Sequence, residues 1–102
     1  MHNRFIEQEA VRLANRQARN YQWPEEFYKA KIISRRWHNF YAPDGCVIAR
    51  VIHIELYAHM RSGRCAMVDV TYKEKLDADG PNSRILFLYD KIGDMVNVEC
   101  ED

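Results

Sequence analysis

The chain has 102 residues, 47% of them hydrophobic and 12% aromatic, and its 15 basic and 15 acidic side chains cancel. This length holds one domain, expected over residues 1–102, around one core, and the composition excludes a disordered chain. The opening MHNRFIEQEAVRLANRQ lacks an apolar run, and Arg50, His53, Glu55 and His59 break up the apolar stretch at 46–60. Neither a signal peptide nor a membrane helix is expected, and the expected location is cytoplasmic.

The charges are unevenly spread. Residues 1–64 carry 11 Lys and Arg against 6 Asp and Glu, whereas residues 65–102 carry 4 against 9. Cys46, Cys65 and Cys100 are widely spaced and form no CxxC pair. They read as packed free thiols of a reducing compartment, with no metal or cofactor expected.

The first element is a helix over residues 3 to about 21. Ile6, Ala10, Leu13, Ala14 and Tyr21 recur on one side, interrupted by Gln17, and Phe5 projects elsewhere. A second helix is expected from Trp23-Pro24-Glu25-Glu26, because proline suits a first helical position and acids suit the positive helix end. Phe27, Ala30, Ile33, Ser34, Trp37, Phe40 and Tyr41 would form its apolar face, and Pro43-Asp44-Gly45 would end it.

After Gly45 the period becomes two. Strands are expected at about 46–60, 65–76, 83–91 and 95–99, with turns at Ser62-Gly63, Asp79-Gly80-Pro81-Asn82 and Gly93-Asp94. Ile48, Ile52, Ile54, Leu56, Ala58 and Met60 share one face of the first strand; Ala66, Val68, Val70 and Tyr72 share one face of the second. Joining these faces through an odd loop, Ser62-Gly63-Arg64, sets Leu56 opposite Val70. The last turn sets Tyr89 opposite Val98 and Phe87 opposite Cys100. The expected architecture is α+β: two N-terminal helices on one face of a four-stranded antiparallel meander.

Two surfaces carry candidate chemistry. On the polar face of the first strand, His53, Glu55, Tyr57 and His59 alternate with the apolar residues. The expected register adds Lys73 opposite His53, Thr71 opposite Glu55, Asp69 opposite Tyr57 and Met67 opposite His59. His53 and Glu55 lie within about 6.5–7 Å along the strand, but two ligands fall short of a zinc site. An acid/base role needs a concave, partly dry setting. A strongly curled sheet would supply one, as in cone-shaped folds of the NTF2-like kind, an analogy of architecture with no matching residue motif. Without such curling the face is an open sheet with cross-strand polar pairs.

The second surface is basic. Arg4, Arg12, Arg16 and Arg19 lie opposite the apolar stripe of the first helix, with Gln8 and Asn15 among them and Glu9 at the edge. Lys31, Arg35 and Arg36, with Tyr28 and Ile32, project from the polar side of the expected second helix. Guanidinium rows suit carboxylates and phosphates. Zero net charge and the lack of any helix-turn-helix, RNA-recognition or zinc-finger pattern favour an acidic protein surface over nucleic acid, and a homodimer would use the same groups. The residues 99–102 read as a frayed acidic terminus.

No glycine-rich phosphate loop, GxSxG or HExxH occurs. The expected function is therefore non-catalytic: a binding or regulatory protein working through protein–protein contact. Small motif-free chains are common among accessory and inhibitor proteins of viruses and mobile elements. The alternatives are a small ligand-binding protein or enzyme with a pocket of His53, Glu55, Tyr57, His59, Asp69 and Lys73, and a binder of nucleic-acid backbones.

Overall fold

The computed structural model describes residues 3–77, 80–88 and 95–100, with 77 and 80–88 described by their backbone. Among these residues one helix, α1 (Arg4–Asn20), precedes six strands: β1 (Glu26–Ile32), β2 (His38–Tyr41), β3 (Val47–His59), β4 (Cys65–Asp77), β5 (Gly80–Leu88) and β6 (Val96–Val98). All the strands join one antiparallel sheet. Its centre is the pair β3–β4. β1 and β2 follow one another along the outer edge of β3, and β5 and β6 share the outer edge of β4. The fold is α+β with its helix on one face of the sheet.

Asn3 caps α1, its side chain accepting from the Ile6 N–H at 3.1 Å. Ile6, Ala10, Ala14 and Ala18 form the buried stripe. The alanines let the helix lie close against Ile52, Ile54, Leu56 and Ala58 of β3 and Val68, Val70 and Tyr72 of β4. Two polar contacts fix this seat. The Tyr72 hydroxyl donates to the Ala10 carbonyl at 2.6 Å. The Asn15 amide grips the backbone of Phe27, donating to its carbonyl at 2.9 Å and accepting from its N–H at 2.8 Å. Asn15 thus belongs to the helix–sheet joint, not to the basic face. Tyr21, assigned to the apolar stripe, is 66% exposed and stacks on Trp23. It lies beyond the last helical residue, so the helical period no longer sets its direction.

The expected second helix does not form; its residues make β1 and β2. A bulge at Tyr28 is the reason the spacing misleads. Phe27 pairs with Ala58 and Lys29 with Tyr57, so Tyr28 is an extra residue in the edge strand. Phe27 and Ala30 therefore reach the same face three residues apart, which imitates a helical period. Ser34 also ties the two strands to β3, its Oγ accepting from the His53 N–H at 2.8 Å.

Both hairpins around β3 use one device. Met60 N–H donates to the Arg64 carbonyl and Gly63 N–H to the Met60 carbonyl; Ala42, Cys46 and Gly45 repeat the pattern. Gly63 has φ +85° and Gly45 φ +90°, the left-handed conformation glycine adopts without strain. The loop of the second hairpin begins one residue earlier than expected, at Arg61. The β3–β4 register consequently moves by two residues: Leu56 faces Val68, and Val70 faces Ile54. A shift of two keeps every side chain on its expected face.

At the far edge, β5 starts at Gly80, so Gly80-Pro81-Asn82 is strand where a turn was expected. An edge position tolerates the missing proline N–H. Asp79, Tyr89 and the Gly93-Asp94 turn lie outside the described residues. β6 does not pair with β5: Val98 lies opposite Cys65 and Val96 opposite Met67, while Phe87 lies opposite Lys73. Cys65 and Cys100 are joined by a disulfide, with Cα atoms 5.1 Å apart. This corrects the expectation of three free thiols and of a frayed segment at Cys100; Cys46 alone among the three is free. The return of β6 to β4 brings together cysteines that are 35 residues apart.

Candidate functional site

The polar face of β3 lies on the side of the sheet away from α1. Cross-strand pairing arranges it in rows. Glu26, His59, Cys65 and Val98 form one; Lys29, Tyr57, Met67 and Val96 the next; Lys31, Glu55 and Asp69 a third; His53 and Thr71 a fourth. Lys73, expected beside His53, lies opposite Val51, with its ammonium 5.7 Å from the Phe40 ring. His53, His59 and Asp69 are exposed; Glu55, Tyr57, Thr71 and Lys73 are half-buried.

Their contacts run along the surface. The Tyr57 hydroxyl donates to Glu55 Oε1 at 3.0 Å, the Lys29 ammonium lies 5.2 Å from the Tyr57 ring, and His53 Nδ1 is 3.3 Å from Thr71 Oγ1. Glu55 thus turns to Tyr57, while His53 turns to Thr71. The like-charged Glu55 and Asp69 face each other, with Lys31 on the other side of Glu55. This is a wet ladder of mixed charge. It offers many weak contacts and no enclosed acid/base pair.

The basic residues split into separate places. Arg4, Arg12, Arg16 and Arg19 are exposed on α1. Arg12 holds Glu9 through two bonds, Nε to Oε1 at 2.7 Å and Nη2 to Oε2 at 2.9 Å. The hydrogen bond from Arg12 keeps the Glu9 carboxyl below its ordinary range. Lys31, as part of β1, projects with Glu55 onto the open sheet face. Arg35 and Arg36 sit in the bend between β1 and β2. Tyr28 does not join an exposed apolar pair with Ile32, which is buried in the core. Instead its ring stacks on His59 at 4.3 Å. Tyr28 also lines a groove of about 280 Å³ between α1 and the sheet edge, with Arg4, Glu7, Val11 and Lys29.

A second hollow, of about 320 Å³, opens between the start of α1 and the sheet, lined by Phe5, Glu9, Trp37, Arg50 and Glu74 among others. Glu74 is only 3% exposed. Arg50 Nε donates to its Oε1 at 2.7 Å, and the guanidinium lies 4.0 Å from the Trp37 ring. The sequence carried a signal for this pair. Arg50 interrupts the parity of Ile48, Ile52 and Ile54, and Glu74 extends that of Val70 and Tyr72. Two opposite charges at apolar-parity positions on neighbouring strands point inward and toward each other.

No known protein family matches this chain, and no curated protein or solved structure is similar enough to carry an argument.

Proposed function

We propose that the chain is a non-catalytic binding or regulatory protein that holds an acidic surface of a protein partner. The observation that carries this reading is the row of exposed guanidinium groups on the outer side of α1. The buried side of α1 is used up by packing, which leaves Arg4, Arg16 and Arg19 on its outer side. None of these three has an ion pair among the described residues. Arginine binds carboxylates through paired hydrogen bonds, which suits an acidic surface. An accessory or inhibitor role, as in viruses and mobile elements, fits a small chain without catalytic motifs.

No helix among the described residues is long and apolar enough to cross a membrane. The reading includes a cytoplasmic location, where Cys65 and Cys100 would be largely reduced. Alkylation trapping of thiols in host extract checks it.

The experiment is affinity capture from host extract, read by mass spectrometry, with the wild type beside an Arg16→Glu, Arg19→Glu variant. The reading expects one protein captured by the wild type and lost by the folded variant. Equal capture by both rejects the helix face. Capture of nucleic acid, with affinity falling steeply as salt rises, would favour the backbone-binding alternative.

A second reading rests on the hollow above Arg50 and Glu74. A buried ion pair beside Trp37 is a polar anchor under an aromatic wall, as in small-molecule sites. This moves the pocket alternative from the His53–Glu55 face to the helix side of the sheet. A fragment screen by NMR, with shifts sought at the Trp37 indole, tests it.

A further inference from the structure

We propose that Cys65 and Cys100, once reduced, form with His59 a three-ligand site for a zinc-class divalent cation, so that β6 is fastened to β4 either by a disulfide or by a metal. This is independent of the binding function. The ligand atoms of the three residues lie within 4.8 Å of one another. His59 Nδ1 stands 3.4 Å from Cys65 Sγ. Tetrahedral zinc with ordinary Zn–S and Zn–N bonds holds its ligand atoms about 3.5–3.8 Å apart, so this pair is close to the required spacing.

The fold holds two of the ligands firmly. His59 and Cys65 are directly paired on the same sheet face at the base of the β3–β4 hairpin. Tyr28 stacks on the His59 ring and restrains its orientation. Cys65 is buried. Cys100 follows β6, whose Val98 pairs with Cys65 itself, and its exposed position lets its side chain rotate away once the bond opens.

A dithiol reductant gives two electrons and two protons to the Cys65–Cys100 bond, yielding two thiols, and closes to its own disulfide. The cation then displaces both thiol protons to solvent. Two thiolates neutralise its charge, the imidazole supplies a third bond, and water completes the tetrahedron. Thiolate and imidazole donors select zinc over magnesium or calcium.

The test uses the full chain carrying Cys46→Ser, which removes the exposed third thiol. The protein is reduced with a phosphine, which takes up oxygen from water as the thiols form, and titrated with Co2+. The expected result is one Co2+ per chain, with a thiolate charge-transfer band and the visible bands of tetrahedral cobalt, displaced by Zn2+. The unreduced protein should show neither band. Cys100→Ser and His59→Gln, both at exposed positions, should each weaken binding by at least about 100-fold, since even outer-shell partners of metal ligands are worth about 10–100-fold. Reduced protein without these bands, or either variant binding Co2+ as its parent does, overturns the proposal and leaves a disulfide staple only.

Discussion

Two side chains beneath α1 show how single residues set the balance of this fold. Burial pushes the Tyr72 phenol well above its ordinary value of 10.0. The folded chain keeps this proton where the unfolded chain releases it. Tyr72 therefore contributes fully below about pH 10, and its contribution falls above that at about 1.4 kcal/mol per pH unit until the folded phenol itself ionises. Tyr72→Phe should cost about 1 kcal/mol at neutral pH, the net worth of one hydrogen bond. Urea unfolding of both proteins between about pH 9 and 11 should show the wild-type advantage shrinking and then reversing. Parallel curves would contradict it. Glu74 has its charge held by Arg50, whose side chain is 22% exposed. Arg50→Met should cost about 3 kcal/mol by removing the guanidinium that holds a buried carboxylate, whereas Arg50→Met with Glu74→Leu should recover most of that. A double variant as unstable as the single one would show that Glu74 stabilises in some other way.

At the level of elements, α1, β3 and β4 were legible because each repeats its period over many residues. α1 has 17 residues and β3 and β4 have 13 each. Even there, Ile48 at the start of β3 is 48% exposed despite its apolar parity, since no apolar member of α1 covers that end. β1 and β2 were not legible. A seven-residue strand with a bulge has too few alternations to outweigh a false helical spacing, and Pro24 reads equally well as a helix start or a loop. The candidate residues of the sheet face were assigned to the correct face but paired two positions away, because the hairpin type sets register and parity does not. The Arg50–Glu74 pair was missed, although the parity of both residues carried a signal for it. The Asn15 clasp carried none, since an asparagine among arginines has the pattern of a solvated face.

Two variants check these elements. Asn15→Ala removes both bonds to Phe27 and should cost about 2 kcal/mol, with faster amide exchange along β1. Exchange unchanged in β1 would detach Asn15 from that role. Gly63→Ala meets no atom within 4 Å, so its cost is conformational alone. About 1 kcal/mol is expected from forcing a side chain into the left-handed region, and Gly63→Asn should cost less. Equal loss in both by thermal unfolding would point to crowding instead.

The whole molecule is long and thin, 51 × 28 × 22 Å, with an arginine-bearing helix on one broad side and a mixed polar sheet on the other. These faces point in opposite directions, so a single flat partner cannot cover both. The residues His53, Glu55, Tyr57, His59, Asp69 and Lys73 lie on the sheet side, exposed or half-buried, and the exposed guanidinium groups of Arg4, Arg12, Arg16 and Arg19 lie on the helix side. The central claim is that binding is done by the helix side. Its most direct test is capture of the host partner by two variants in parallel. One carries Arg16→Glu and Arg19→Glu; the other carries His53→Ala and Glu55→Gln. Each is first shown to be folded by circular dichroism. The account predicts that the helix variant loses capture by at least about tenfold, the loss of about 1.4 kcal/mol, while the sheet variant captures as the wild type does. Capture lost by the sheet variant and kept by the helix variant would contradict it.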